Sequence, residues 1–180
     1  MAKLALTLGF LFAIFTSFAQ SYLGWATKQV NFRSGPGTEY EVISAIPAGS
    51  QIFIVSTETV NDFYNIIDIA TDKEGYIHKS FVKLGDKVEV NNEGVFTLTG
   101  KSNSTNATIK IYNNTNISMT LLLNGEKFPF KPQEKRSIEY RPGTWFYRAS
   151  APGVIPNIGT EEIQSNAVYD WEFYIVSGHR

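Results

Sequence analysis

The chain has 180 residues, with sixteen basic and seventeen acidic side chains, two histidines and no cysteine. A net charge of -1 gives no reason to expect nucleic acid or an anionic membrane surface as partner. The lack of cysteine excludes disulfides, thiol-dependent hydrolysis and a lipid-accepting thiol behind a leader, so any fold must stand on apolar packing alone.

The first twenty residues, MAKLALTLGFLFAIFTSFAQ, offer Lys3, an apolar run from Leu4 to Phe15 and then Thr16-Ser17-Phe18-Ala19. Small residues at Ser17 and Ala19 predict a secretory signal peptide over residues 1–19, cut at Ala19/Gln20. An apolar run of about twelve residues falls short of the roughly twenty that cross a bilayer, which favours cleavage over anchoring. The expectation is an exported protein, periplasmic or secreted, with no membrane insertion after cleavage.

From Trp25 onward, short apolar or alternating runs are separated by closely spaced turn residues, which reads as all-β. Predicted strands are Ala26 to Phe32, Val42 to Ile46, Gln51 to Ser56, Tyr64 to Ile69, Tyr76 to His78 and Val82 to Leu84. No apolar spacing of three and four persists long enough for a helix of more than a turn or two. Composition shifts to Asn, Ser, Thr and Gly after this, placing a boundary near Gly85 to Gly94. A second β region follows, with strands expected at Val95 to Thr99, Thr108 to Tyr112, Ser118 to Leu123, Arg136 to Tyr140, Thr144 to Ala149 and Val168 to Val176. Asn124-Gly125 and Pro142-Gly143 read as hairpin turns. The predicted organisation is thus a small barrel at 22–86 and an antiparallel β-sandwich at 94–180.

Asn31 to Gly49, NFRSGPGTEYEVISAIPAG, concentrates glycine and proline between apolar runs. Pro36 presets one dihedral, and Gly35 and Gly37 are expected in conformations closed to residues with a Cβ. Arg33 beside this turn suits hydrogen bonds to loop carbonyls, or to a carboxylate such as Glu39 or Asp62, better than ligand contact. A phosphate cradle does not fit, because the glycines lead into a strand and no Lys-Ser/Thr pair follows.

The order N-F-R-S-G-P-G-T-x-Y, I-P-A-G, F-Y-N-I and G-Y-I-H-K-S-F-V closely resembles the bacterial SH3-type domain over Trp25 to Leu84. Phe63 and Tyr76 stand where that family often carries tryptophan. The resemblance implies a small barrel with a shallow groove between the first long loop and the Thr57 to Asp62 loop. It also implies binding of cell-wall peptidoglycan, its stem peptides or another envelope protein. Candidate ligand-binding residues are Arg33, Tyr40, Asp62, Phe63, Tyr64 and Tyr76, each with packing as the competing role. With a bacterial first domain, the Asn-x-Ser/Thr triplets at Asn103, Asn106, Asn113 and Asn116 read as composition rather than glycan acceptors.

Chemistry is thinly supplied. His78 and His179 lack the spacing of a zinc site, so no metal and no cofactor are expected. Ala149 to Gly159, with its glycine and proline breakers, and Glu161-Glu162 read as loop, and Asp170-x-Glu172 as the solvated side of a strand. In the second region Trp145 and Tyr147 alternate with Phe146 and Arg148, and Tyr169, Trp171 and Phe173 share one face, which reads as sandwich core. This region looks like a small sandwich module of exported bacterial proteins, a likeness that implies no activity. The leading expectation is a non-catalytic envelope-binding protein. The alternative is a structural or interaction module whose barrel packs only on its own second domain or a neighbouring subunit.

Overall fold

The computed structural model describes residues 20–175, so the expected leader at 1–19 and His179 lie outside the described residues. The first sheet contains β1 (Tyr22–Ala26), β2 (Val30–Arg33), β3 (Val42–Ile46), β4 (Gln51–Ile54), β5 (Phe63–Asp68), β6 (Lys73–His78) and β7 (Val82–Lys87) in the order β3-β2-β6-β5-β4-β1-β7. A single 3-10 turn, Lys79–Phe81, joins β6 to β7. All its strand pairs are antiparallel. Strand alternation sends Phe32, Ile46, Ile52, Ile54, Ile66 and Ile77 into a closed core, with Tyr64 and Phe81 packed against it.

The second region builds two four-stranded sheets. One holds β10 (Met119–Leu123), β11 (Glu126–Phe130), β13 (Gly143–Ala151) and β14 (Val154–Ile163); the other holds β8 (Thr97–Lys101), β9 (Ala107–Asn113), β12 (Lys135–Tyr140) and β15 (Ala167–Phe173). Their orders are β11-β10-β13-β14 and β12-β9-β15-β8. Leu121, Leu123, Phe130 and Tyr147 of the first meet Ile109, Ile111, Tyr169 and Phe173 of the second in one core. The aromatic stripe is therefore packing, as its alternation predicts, with Trp171 half-buried at its margin. Asp170 and Glu172 face solvent, also as expected.

Several details differ from the sequence reading. β15 runs parallel to β9, so the sandwich is mixed rather than wholly antiparallel. Pro142-Gly143 does not close a hairpin: β12 and β13 belong to different sheets, and the turn carries the chain across the sandwich. Glu161 and Glu162 lie within β14, not in a loop, and Ala149 to Gly159 forms the paired ends of β13 and β14 around Pro152-Gly153. Asn124 and Gly125, both at positive φ, do close the β10–β11 hairpin. Of the four Asn-x-Ser/Thr asparagines, Asn113 is fully buried; its amide donates to the carbonyls of Ile117 and Lys131, both at 2.8 Å, so it serves the fold.

The β10–β13–β14 sheet is covered on both faces. Trp145 and Tyr147 turn toward the sandwich core, whereas Phe146 and Arg148 turn toward the barrel. Phe53, Ile67 and Ile69 from the outside of the barrel pack with Ile158 in a separate apolar cluster that includes Phe146 and Val88 at its edge. Polar groups surround it. Arg148 Nη2 donates to Glu74 Oε2 at 2.9 Å, Lys127 Nζ lies 3.0 Å from the same oxygen, and Thr120 donates to Asp72 at 3.1 Å. The 88–96 segment is pinned too: Asn91 bridges Gly159, and Glu161 accepts from the backbone N–H groups of Val95 at 2.6 Å and Phe96 at 3.1 Å. Burial raises the Glu161 carboxyl against those two lowering hydrogen bonds.

Candidate functional site

The stretch Asn31 to Gly49 folds as a loop strapped onto the barrel. Arg33 Nη1 donates to the carbonyls of Thr38 at 3.0 Å and Tyr40 at 2.8 Å, the loop-holding role its position suggests. Gly35 and Gly37 do not take the positive φ expected of them. Gly35 is needed for close approach instead: a Cβ there would run into the Tyr40 ring, which lies against it. Tyr40 thus caps the loop from outside, 43% exposed. Asn61 Nδ2 donates to Pro36 O at 3.2 Å and ties this loop to the Thr57 to Asp62 loop, across the gap where the sequence reading places a groove.

The cleft lies beside that tie. One wall comes from Lys28, Gln29 and Asn31 at the β1–β2 turn and β2, continued by Arg33 and Thr38. The other comes from Phe63 at the start of β5, His78 at the end of β6, and Ser80 and Phe81 of the 3-10 turn, with Val30 between, enclosing about 460 Å³. Register explains the rings: Phe63 pairs with His78 across β5 and β6, so both project from the same side. Their ring centroids are 5.2 Å apart, edge to face, and His78 sits 5.7 Å from Phe81. The Ser80 N–H donates to His78 Nδ1 at 3.3 Å and the Ser80 hydroxyl lies 2.8 Å from the same nitrogen, so Nδ1 is engaged within the turn while Nε2 has no hydrogen-bond partner among the described residues.

Of the six residues singled out from the sequence, Arg33 and Phe63 line this cleft. Tyr64, one residue on from Phe63, points the opposite way and packs against the barrel core. Tyr76 is half-buried on the outer face of β6, opposite Asn65, and is not part of the cleft lining. Asp62, at φ 66°, pairs with Lys79 at 2.8 Å and fastens the loop before β5 to the 3-10 turn. That Lys79 hydrogen bond and charge hold the Asp62 carboxyl below its usual value. Lys28, His78 and Phe81 were not singled out as ligand residues. The three-residue step from His78 to Phe81 across a 3-10 turn, which brings both to one side, is the sequence signal for two of them.

A second hollow, of about 580 Å³, lies on the outer face of the β12-β9-β15-β8 sheet. Carboxylates line it: Lys110 faces Asp170 at 3.9 Å and Asn114 donates to Glu172 at 2.6 Å, while Lys135, like Lys28 over Phe81, covers a ring, that of Tyr112 at 4.4 Å. The barrel cleft differs in that neither Lys28 nor Arg33 has a carboxylate within ion-pair distance among the described residues. Within those residues no group of three or more His, Cys, Asp or Glu is placed to hold a metal. What the cleft presents is ring surface and charged donors.

Residues 28–83 match the family model of the bacterial SH3 domain. The match covers the cleft's rings, its basic residues and the loop that Arg33 straps down. No curated protein and no solved structure matches the chain. The second region, 97–173, carries no family match, and its two sheets stand on their own description.

Gly75 sets how closely β6 of the SH3 domain can approach β2. A Cβ there would lie 2.5 Å from the Arg33 carbonyl oxygen and 2.7 Å from the Phe32 ring. Gly75→Ala should cost about 1–3 kcal/mol by overpacking and displace Arg33 from the cleft wall, read as a lower urea midpoint with m unchanged.

Proposed function

We propose that this protein is exported, periplasmic or secreted, and acts as a non-catalytic binding protein whose SH3 cleft holds cell-wall peptidoglycan or an envelope peptide. The observation that carries this reading is an open cleft with three clustered rings and two cations lacking acidic partners. It lies on a part of the barrel that the sandwich does not use. The sandwich occupies Phe53, Ile67, Ile69 and Glu74 on the outer surface of β4 to β6, while the cleft is formed at β2, the loop after it and the 3-10 turn. A barrel serving only to pack on its own neighbour would have no use for that second surface. The half-buried His78 and Phe81 rings over a buried Phe63, with flanking donors, suit an extended peptide or the edge of a sugar. The buried carboxylates point away from catalysis, since Glu74 is bound up in ion pairs and Glu161 holds two backbone N–H groups.

The test is retention of purified residues 20–180 on insoluble peptidoglycan. Thr38→Trp fills the cleft from an exposed position without touching the core. It is expected to reduce retention about tenfold, the equivalent of about 1.4 kcal/mol, while Lys135→Ala on the distant sandwich face leaves retention unchanged. Equal retention of wild type and Thr38→Trp would remove the cleft from wall binding.

A further inference from the structure

Resting on the cleft reading above, we infer that the SH3 cleft selects its ligand through a carboxylate. The occupant is a short peptide whose free carboxylate meets Lys28 and Arg33 while its body lies on Phe63, His78 and Phe81.

The cleft's charge is lopsided in a chain that is nearly balanced. The whole sequence holds seventeen acidic and sixteen basic residues, yet the cleft lining contains Lys28, Arg33 and His78 and no aspartate or glutamate. Each cation is positioned by something other than a counter-charge. The Lys28 ammonium stands 4.2 Å from the Phe81 ring centroid, held over the ring face by its quadrupole. The Arg33 guanidinium is fixed by two hydrogen bonds, both from Nη1, to the Thr38 and Tyr40 carbonyls. Its Nε and Nη2 donors have no protein partner among the described residues, and they are not among the buried orphan atoms, so they remain open to solvent. A guanidinium held by one nitrogen, with its remaining donors free, is prepared for a planar two-oxygen acceptor.

His78 adds a third polar group. Its Nδ1 is engaged by Ser80, 2.8 Å from the hydroxyl and 3.3 Å from the N–H, and its Nε2 has no hydrogen-bond partner among the described residues. Two cations beside an imidazole nitrogen over clustered rings are complementary to an anionic oxygen pair on a slender organic body. A neutral glycan face would leave both cations without a partner. The barrel's other exposed lysine near this region, Lys79, is already neutralised by Asp62 at 2.8 Å, which sets Lys28 and Arg33 apart.

Two sources could present such a carboxylate: the stem peptide of the wall, or an acidic side chain or carboxyl terminus of an envelope protein. The experiment follows backbone amide shifts of isotopically labelled residues 20–180 during titration. The probes are a soluble disaccharide-peptide from peptidoglycan, the same compound with its carboxylates converted to amides, and a short peptide with a free carboxyl terminus beside its amidated twin. The expected result is saturable shifts at Lys28, Arg33 and His78 with a free-carboxylate probe, and about ten- to hundredfold weaker binding after amidation, the range for hydrogen bonds to charged groups. Lys28→Gln, an exposed substitution, should weaken binding of the free-carboxylate form and leave the amidated form unaffected. Preference for the wall compound over the plain peptide, or the reverse, identifies the source. Equal affinity of free and amidated probes would overturn the carboxylate inference and leave cleft binding standing; no shift with any probe would overturn both.

Discussion

Arg148→Ala is expected to destabilise the protein by about 3 kcal/mol, the lower end of the range for breaking a buried ion pair from one side. Its side chain is only 6% exposed and reaches from β13 of the sandwich to Glu74 on β6 of the barrel. The loss comes from what is left behind. Glu74 keeps Lys127 at 3.0 Å and the Asn65 amide at 3.2 Å, which is why the lower end applies, but it loses its most buried cation. A Glu74→Gln, Arg148→Met double variant removes both charges together and should recover most of the stability. Urea unfolding of wild type, single and double variants checks this, and a single variant as stable as wild type would show that the pair does not couple the two regions.

The same pair has a pH signature. Burial raises the Glu74 carboxyl, but the Arg148 charge together with hydrogen bonds from Lys127, Arg148 and Asn65 outweighs it and holds the group down at about 2, from an ordinary 4.5. A depressed carboxyl contributes stability that is fully present above 4.5. That stability is lost as pH falls from 4.5 through about 2, because the unfolded chain takes up the proton first. Arg148→Ala should therefore flatten the acid side of the stability profile across that window, as well as lowering the plateau above it.

The sequence made the barrel legible because its strands are short apolar runs and glycine or proline stands where the chain reverses. Three strands were missed: β1, of which only Ala26 was expected, and β11 and β14, the two edges of one sheet. β11 contains Pro129 and β14 contains Pro156, and each is the last strand of its sheet, where a missing N–H faces away from the ladder. Proline and glycine in Ala149 to Gly159 read as a loop, whereas only Pro152-Gly153 turns the chain. The parallel β9–β15 pair was hidden because strand direction depends on a connection of more than fifty residues, between Asn113 and Ala167, that no local pattern records.

The cleft was half legible for a related reason. Aromatic residues around β5 and β6 were visible, but their side of the strand was not. A one-residue step separates Phe63 in the cleft from Tyr64 in the core. Lys28 was concealed inside a predicted continuous strand from Ala26 to Phe32, which the structure breaks into β1, a turn and β2. The unpaired state of Lys28 and Arg33 is a property of three-dimensional neighbourhood, since Asp62 pairs with Lys79 and the Glu39 carboxylate lies against Gly37.

The largest effect on stability is expected from Phe53→Ala, about 3–5 kcal/mol, the range for emptying a buried phenylalanine site. Phe53 is fully buried although it points out of the barrel, because the sandwich covers it through Ile158 and Phe146. Its neighbours in β4, Ile52 and Ile54, point the other way into the barrel core. The two directions give a discriminating comparison with Phe32→Ala, which empties the barrel's own core. In residues 20–180 both substitutions should lower the urea midpoint. In residues 20–88 alone, Phe32→Ala should still destabilise, whereas Phe53→Ala should cost little, since its ring there meets water. That fragment bares Phe53, Ile67 and Ile69 as one apolar patch, so it should also bind a hydrophobic dye and self-associate on gel filtration until Phe53 is replaced. If Phe53→Ala were as costly in the fragment as in the whole chain, the ring would belong to the barrel's own stability, and the sandwich could not be what fixes the barrel in place.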